Sequence, residues 1–294
     1  MANAQCTWLS GVGARQIGWF ASISFDASIS EILMALRLGL ALVVVPESTR
    51  RDTTELADFL REEQVDAITL PPQLVGSPLG GDSEHPRLVV TAGAPAIADA
   101  TRKLAIGRTV VNAYGPAEAA VCATAHQVRP EATHNAIPIG SPIGNVRVYI
   151  VDRCMEPLPI GVEGELLIGG DQVSRGYIGQ PGLTAAHFVA DPFAETPGAR
   201  LYRTGDLARW RPDGTLDFLG RADAQIKIRG MRVELGEIEA ALSGFDDITD
   251  CAVIAQSTKQ PGETKLVAYL VPKNHRDTTV PSGFGGSRRA ASLP

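Results

Sequence analysis

The sequence predicts an α/β protein: a mostly parallel sheet covered by helices, then a β-barrel-like run of strands, then the start of a small α+β unit. Three observations carry that expectation. Through about residue 125, short β-branched runs stopped by proline or glycine alternate with stretches of helical period, the spacing of βαβ units. Beyond that point apolar runs follow one another with turn residues between them and no long helix. Near Asp223 a helical stretch returns between short strands.

From Ser28 to Leu40 apolar residues recur at helical spacing, with Gly39 as the stop. ALVVVP, ending at Pro46, then reads as a buried strand. Thr54 to Glu63 is helical again, and DAITLPP at 66–72 is a strand with a proline stop. A Gly/Pro/Ser loop at 76–86 precedes the strand RLVVTAG, a helix around Ala96 to Ala105 and the strand TVVNAYGP. In parallel sheets ligands gather at the carboxyl ends of strands, here Pro71-Pro72, Thr91-Ala92-Gly93 and Asn112 to Gly115. VRVYIVD, GELLIGG and two runs around ARWRPDGTLDFLGR are strands, the last pair joined at the turn Pro212-Asp213-Gly214. QIKIRG, ELGEIEAAL, CAVIA and KLVAYLV give a strand, a helix and two strands. The expected parts are therefore 1–125 (α/β), 126–222 (barrel-like), 223–273 (an incomplete small unit) and 274–294, a Ser/Gly/Arg/Thr-rich tail expected to be disordered.

Composition narrows the function classes. The 294 residues are 44% apolar, enough for at least one sizeable core. A net charge of -6 leaves no global positive field to gather nucleic acid, and the pairs Arg50-Arg51 and Arg288-Arg289 have no interleaved aromatics. Cys6, Cys122, Cys154 and Cys251 lie too far apart for a CxxC site or a dense disulfide pattern, so reduced thiols are expected. The first apolar stretch is broken by Ser10, Gly11, Gly13, Arg15 and Gln16, unlike a signal peptide, and 32–46 is too short to cross a bilayer. A cytoplasmic protein without membrane partners is the expectation.

Three glycine-containing segments carry the candidate chemistry: TAGAP at 91–95, NAYGPAE at 112–118 and YRTGDL at 202–207. Gly93 and Gly115 allow a planar ligand close to the backbone, and Tyr114 offers an aromatic face with a hydroxyl. Glu118 can bind a divalent cation that carries phosphates, because hard oxygen ligands suit magnesium. Asp206, after the turn glycine Gly205, can accept from two neighbouring ribose hydroxyls.

Together with FASISFDASISEILMAL, NAYGPAEAAVCAT, GELLIGGDQVSRGYIGQPGLTAAHF, LYRTGDLARWRPDGTLDFLGR and DAQIKIRGMRVELGEIEAAL, these segments resemble the adenylation domains of nonribosomal peptide synthetases, in the adenylate-forming superfamily, over roughly residues 15–272. The resemblance implies part of an adenylate-forming fold that binds ATP, Mg2+ and an amino acid and makes the aminoacyl-AMP. The acyl group would then pass to the phosphopantetheine thiol of a peptidyl carrier protein, with a condensation domain as a possible further partner. By resemblance, Tyr114 stacks on adenine, Asp206 binds ribose, Arg221 contacts the nucleotide and Glu118 is the magnesium-associated catalytic acid, with Gly93, Ala94, Asn112, Ala113 and Gly115 around the nucleotide. Asp223 is similar to the hinge residue of the small domain, and Lys227 and Gly230 to the loop that faces the site in the thioester-forming arrangement.

The same resemblance places an amino-acid pocket at Asp26, Ala27, Ser30, Thr69, Val90, Ala92, Ala113, Val121 and Cys122. Asp26 would pair with the α-ammonium; read without the motif, it is equally a helix cap. The other positions are small or apolar, so a charged substrate side chain would be buried unpaired. Ser30 stands where phenylalanine pockets of the family often carry tryptophan, which deepens the cavity and adds a hydroxyl. The expected substrates are tyrosine, then phenylalanine, then tryptophan.

Complete members carry a Ser/Thr/Gly-rich loop ending in Pro-Lys-Gly before the FDAS motif and a lysine in an Asn-Gly-Lys motif near the end of the small domain. Neither motif occurs here, Lys273 lacks that context, and Ala117 replaces the usual Thr or Ser. The expectation is a chain truncated at both ends relative to such members, with an exposed sheet edge and apolar surface uncovered, and little adenylation on its own. The alternatives are an acyl-CoA or aryl-acid ligase of the same superfamily, which Asp26 disfavours, and a noncatalytic remnant or one piece of a split enzyme that takes a complementary adenylation-domain piece as partner.

Overall fold

The computed structural model describes residues 2–76, 79, 84–132, 136–222, 226–228, 231–233, 235–257 and 264–273. Its contacts form two compact units, 1–223 and 224–294.

The first unit opens on helix α1 (Ala2–Gly11) and strand β1 (Gln16–Trp19), followed by α2 (Asp26–Leu38), β2 (Ala41–Val44), α3 (Thr53–Glu62), β3 (Ala67–Leu70), β4 (Leu88–Thr91), α4 (Ala98–Leu104), β5 (Thr109–Tyr114), β6 (Thr124–Gln127) and β7 (Ser141–Pro142). The strands form a seven-stranded sheet in the order β2-β1-β3-β4-β5-β6-β7. β1 to β5 are parallel to their neighbours, and β6 turns back against β5. Strand alternation sorts neighbouring residues onto opposite faces. Ala67, Val90, Val111 and Ala113 share a core with Cys6, Leu9, Met34 and Ala35, whereas Ile68, Val89 and Val110 share another with Leu56, Leu60 and Leu104. Helices α1 and α2 thus cover one face, and α3 and α4 the other.

Local signals account for the helix ends. Asp52 caps α3 by accepting from the N–H groups of Thr54 at 2.7 Å and Glu55 at 3.0 Å. Gly39 ends α2 in the left-handed region at φ 66, and the next N–H bonds back to Ala35.

One expectation is corrected here. ALVVVP is not a wholly buried strand, because β2 is the sheet edge: Ala41 and Val44 are exposed and only Val45 is fully enclosed. An apolar run reports hydrophobicity but not which neighbours flank it, and β1 has taken the place between β2 and β3. The opening residues form α1, with Gln5, Cys6 and Leu9 buried. Apolar surface is exposed along the outside of α2 at Ile29, Leu33 and Leu36, and at Val44 of β2.

The rest of the first unit contains β8 (Val146–Val151), β9 (Gly164–Gly170), α5 (Pro181–His187), β10 (Phe188–Ala190), β11 (Arg200–Trp210) and β12 (Leu216–Arg221). All pairings in this curled five-stranded sheet are antiparallel. While β9 pairs along β11 from residue 201 to 208, β10 takes residues 200–202 and β12 takes residues 206–210. One edge of β11 therefore serves two strands in succession, and Asp206 stands at the handover. β6 and β7, although beyond residue 125 for most of their length, belong to the first sheet.

The second unit contains the hairpin β13 (Ile226–Ile228) and β14 (Met231–Val233), helix α6 (Leu235–Ser243) and the hairpin β15 (Ile248–Ser257) and β16 (Thr264–Pro272), around buried Leu242, Ile248 and Val253. Asp223, Gly230 and the tail 274–294 lie outside the described residues, as does the side chain of Lys227. No helix among the described residues is long and apolar enough to cross a membrane.

Candidate functional site

Tyr114 is the last residue of β5, at the carboxyl end of the parallel strands, and its ring is buried. Its hydroxyl donates to Asp206 Oδ2, while Arg221 Nη1 donates to Asp206 Oδ1 at 2.7 Å. Residues from three strands thus converge on one buried carboxylate. Asp206 and Arg221 are direct cross-strand partners of β11 and β12, so the sheet register itself sets their approach. A bulge in β11 between Arg203 and Leu207, with Gly205 at φ 68, turns Asp206 inward. Thr204 holds the bend: its hydroxyl accepts from the Asp206 N–H at 2.9 Å and donates to the Leu166 carbonyl at 2.7 Å. Burial, then the Asp206 charge and hydrogen bond, push the Tyr114 phenol well above its ordinary range, so it stays a donor. Each carboxylate oxygen has a second acceptor position. A carboxylate beside an aromatic ring is a group to which a vicinal diol can donate.

The segment after Tyr114 is tightly folded. A Cβ on Gly115 would lie 2.7 Å from the Ala123 nitrogen and the Val121 oxygen, all rigid backbone. Ala120 and Val121 both take positive φ, at 54 and 70, which bulky residues avoid. In the 3₁₀ turn Ala117–Ala119, Glu118 accepts from the Tyr177 hydroxyl at 2.7 Å, and its carbonyl accepts from the Ser174 N–H at 2.8 Å. Burial and that bond raise the Tyr177 phenol. Among the described residues no three metal-ligating side chains cluster. Glu118 is a carboxylate, a hard oxygen ligand whose chemistry fits a divalent cation.

The small and apolar positions meet on the other side of Tyr114. Thr69 pairs with Val90, and Val90 with Val111, across β3, β4 and β5. Alternation places Thr69, Val90, Ala92 and Ala113 on the α1/α2 face. Asp26 and Ala27, half-buried, begin α2 where the chain leaves β1, and Ser30 is buried one turn further on. The helix cap is Phe25 and no side chain bonds there, so Asp26 is the first helical residue and not the cap. Val121 is half-buried and Cys122 is fully buried. Burial pushes the Cys122 thiol up to about 12, and the thiol donates to the Thr124 carbonyl at 3.3 Å. Gln5 Oε1 accepts from the Ser30 hydroxyl at 2.7 Å.

Other expected residues stand apart. Asn112 donates to the Pro138 carbonyl at 2.8 Å, so its side chain ties β5 to a later segment. Gly93, at φ 90, is exposed and Ala94 is half-buried in the loop after β4. A cavity of about 340 Å³ lined by Arg102, His126, Arg129 and Arg211 contains none of the expected site residues.

Sequence reasoning missed Gln5, Thr204 and Tyr177. Thr204 and Tyr177 lie within recognisable motifs, and their hydroxyls were a usable signal. Gln5 lies in a segment with no motif and could be found only through folding.

The AMP-binding enzyme family matches residues 2–178. Tyrocidine synthase 1 of Brevibacillus parabrevis is 42% identical over 275 residues, covering 92% of this chain and 25% of that protein. An artificially fused adenylation–PCP di-domain from Klebsiella oxytoca superposes with a TM-score of 0.79 at 27% identity, over 93% of this chain and 52% of that one. A four-domain nonribosomal peptide synthetase bound to AMP and glycine gives a TM-score of 0.67 at 32% identity, over 93% of this chain and 21% of that one. The chain thus spans a quarter of the synthetase and about half of the di-domain.

Proposed function

The chain belongs to the AMP-binding enzymes, among relatives that are nonribosomal peptide synthetase adenylation domains, and from that premise we propose that it binds an amino acid and ATP for formation of an aminoacyl-AMP. The carrying observation is the convergence of Tyr114 and Arg221 on buried Asp206, beside a face of small residues that ends at Asp26 and Ser30. The ribose diol donates to Asp206, adenine lies against Tyr114, and Arg221 keeps the carboxylate charge balanced. Asp26 receives the α-ammonium, which distinguishes an amino acid from the amine-free substrates of acyl-CoA or aryl-acid ligases. Glu118, fixed by Tyr177, holds a magnesium ion carried on the phosphates; that ion offsets phosphate charge when bound. The amino-acid carboxylate oxygen attacks the α-phosphorus and pyrophosphate leaves, a step served mainly by positioning.

The pocket has neutral walls, which favour an aromatic side chain, in the order tyrosine, phenylalanine, tryptophan. We assign the acyl group's next acceptor to the phosphopantetheine thiol of a peptidyl carrier protein, with the 223–273 segment as the small domain, Asp223 its hinge residue and Lys227 in its loop, as the family resemblance implies. The fused adenylation–PCP relative supports that partner class.

The test is equilibrium binding of non-hydrolysable aminoacyl-adenylates, with a sulfamate for the phosphate, in tyrosyl, phenylalanyl and leucyl forms. Tighter binding of the two aromatic forms than of the leucyl form is expected. Equal binding of tyrosyl and leucyl forms overturns the aromatic assignment, and no binding by a folded chain overturns the nucleotide and amino-acid assignment.

A further inference from the structure

Gln5 is a polar residue, 4% exposed, on a helix that carries no recognised motif. Its amide oxygen accepts from Ser30 Oγ, a buried pocket position on α2, at 2.7 Å. A serine hydroxyl has one proton and two acceptor positions. With its proton committed to Gln5, Ser30 can offer only acceptor positions to anything else in the pocket.

We infer that Gln5 sets the polarity of the pocket, making Ser30 an acceptor that selects amino acids whose side chains end in a donor. This inference rests on the amino-acid assignment above and narrows it. A phenol O–H satisfies Ser30, whereas a phenyl ring leaves its acceptor positions dry and unpaired. Tyrosine is thereby favoured over phenylalanine. Gln5 acts through Ser30 and is a positioning residue.

The experiment compares binding of tyrosyl and phenylalanyl sulfamate adenylates to the wild type, Gln5→Leu, Ser30→Ala and the double variant. The wild type is expected to prefer the tyrosyl form by about tenfold or more, the scale of one buried hydrogen bond. In Gln5→Leu the ratio should fall severalfold while phenylalanyl binding stays within about threefold. Ser30→Ala should bring the ratio to near one, and the double variant should add nothing to it. A Gln5→Leu protein that binds both forms at the wild-type ratio overturns the inference and leaves the amino-acid assignment standing. If Gln5→Leu fails to fold, an unchanged ratio in Ser30→Ala overturns it equally. Absence of binding by every folded form instead contradicts the assignment on which it rests.

Discussion

The two ends of the candidate site each bury a carboxyl group, and they treat it in opposite ways. At the nucleotide end, Asp206 is enclosed by a phenol donor and a guanidinium at 2.7 Å, so its charge is paired inside the protein. At the amino-acid end, Glu31 stands beside Ser30 on α2 with no exposure, one oxygen accepting from the Ala21 N–H at 3.1 Å and the other without a partner among the described residues. Burial dominates there and pushes Glu31 up to about 8, with backbone bonds and the more remote Arg50 opposing it less strongly. Low dielectric favours a charged carboxylate only where a cation or several donors accompany it. One end therefore holds a paired charge, and the other holds a carboxyl group that burial favours in its neutral form.

Removing the paired charge should have the largest effect. Asp206→Ala removes the buried carboxylate on which the Tyr114 hydroxyl and Arg221 converge, and unfolding in urea should report a loss of about 3–5 kcal/mol. Binding of any adenylate analogue should fall at least a hundredfold. A variant that keeps both stability and binding would show that the pairing is incidental.

Glu31 supplies the contrasting pH dependence. Its folded pKa of about 8 exceeds the ordinary value of 4.5. Below the lower value both folded and unfolded chains hold the proton and nothing changes. Between the two, the unfolded chain ionises first, so stability falls as pH rises, by at most about 1.4 kcal/mol per pH unit, and levels off above the upper value. Thermal or urea midpoints from pH 4 to 9 should show that decline in the wild type and a flatter profile in Glu31→Gln. Equal slopes would contradict a neutral Glu31.

Gly115 lies where the two ends meet, between Tyr114 and the Cys122 segment. Gly115→Ala forces a Cβ against three backbone atoms within 2.8 Å. A loss of about 1–3 kcal/mol is expected from such overpacking, with tyrosyl-adenylate binding weakened at both ends. The smallest effect is that of Tyr177→Phe, which removes one hydrogen bond from Glu118 and should cost about 1 kcal/mol. Its sharper readout is the magnesium dependence of ATP binding, which should shift to higher magnesium in the variant and stay unchanged if Tyr177 merely packs against Phe188.

The same contrast explains what the sequence made legible. Tyr114, Asp206, Arg221 and Glu118 sit in glycine-rich strand ends, where turn residues mark the backbone and isolated polar groups stand out. The alternation of strands and helices likewise announced β3, β4 and β5. The chain QIGW, by contrast, is too short and too mixed to signal a strand, yet it becomes β1 and makes β2 the edge. Its Gly18 matters through Ile68, whose side chain reaches within 3.2 Å of where a Cβ would lie, a contact across strands that no local pattern contains. Gln5 is the extreme case: it meets Ser30 from 25 residues away. The bond of Asn112 to Pro138 is equally beyond local pattern, since only the fold reveals it.

The central claim is that these unlike ends form one site for one ligand. Amide hydrogen exchange of the chain with and without the tyrosyl sulfamate adenylate tests it most directly. The account predicts slowed exchange at both ends, in residues 112–124 and 202–207 and in the first turns of α2. Slowing confined to one end, with the other unchanged at saturating ligand, would contradict it.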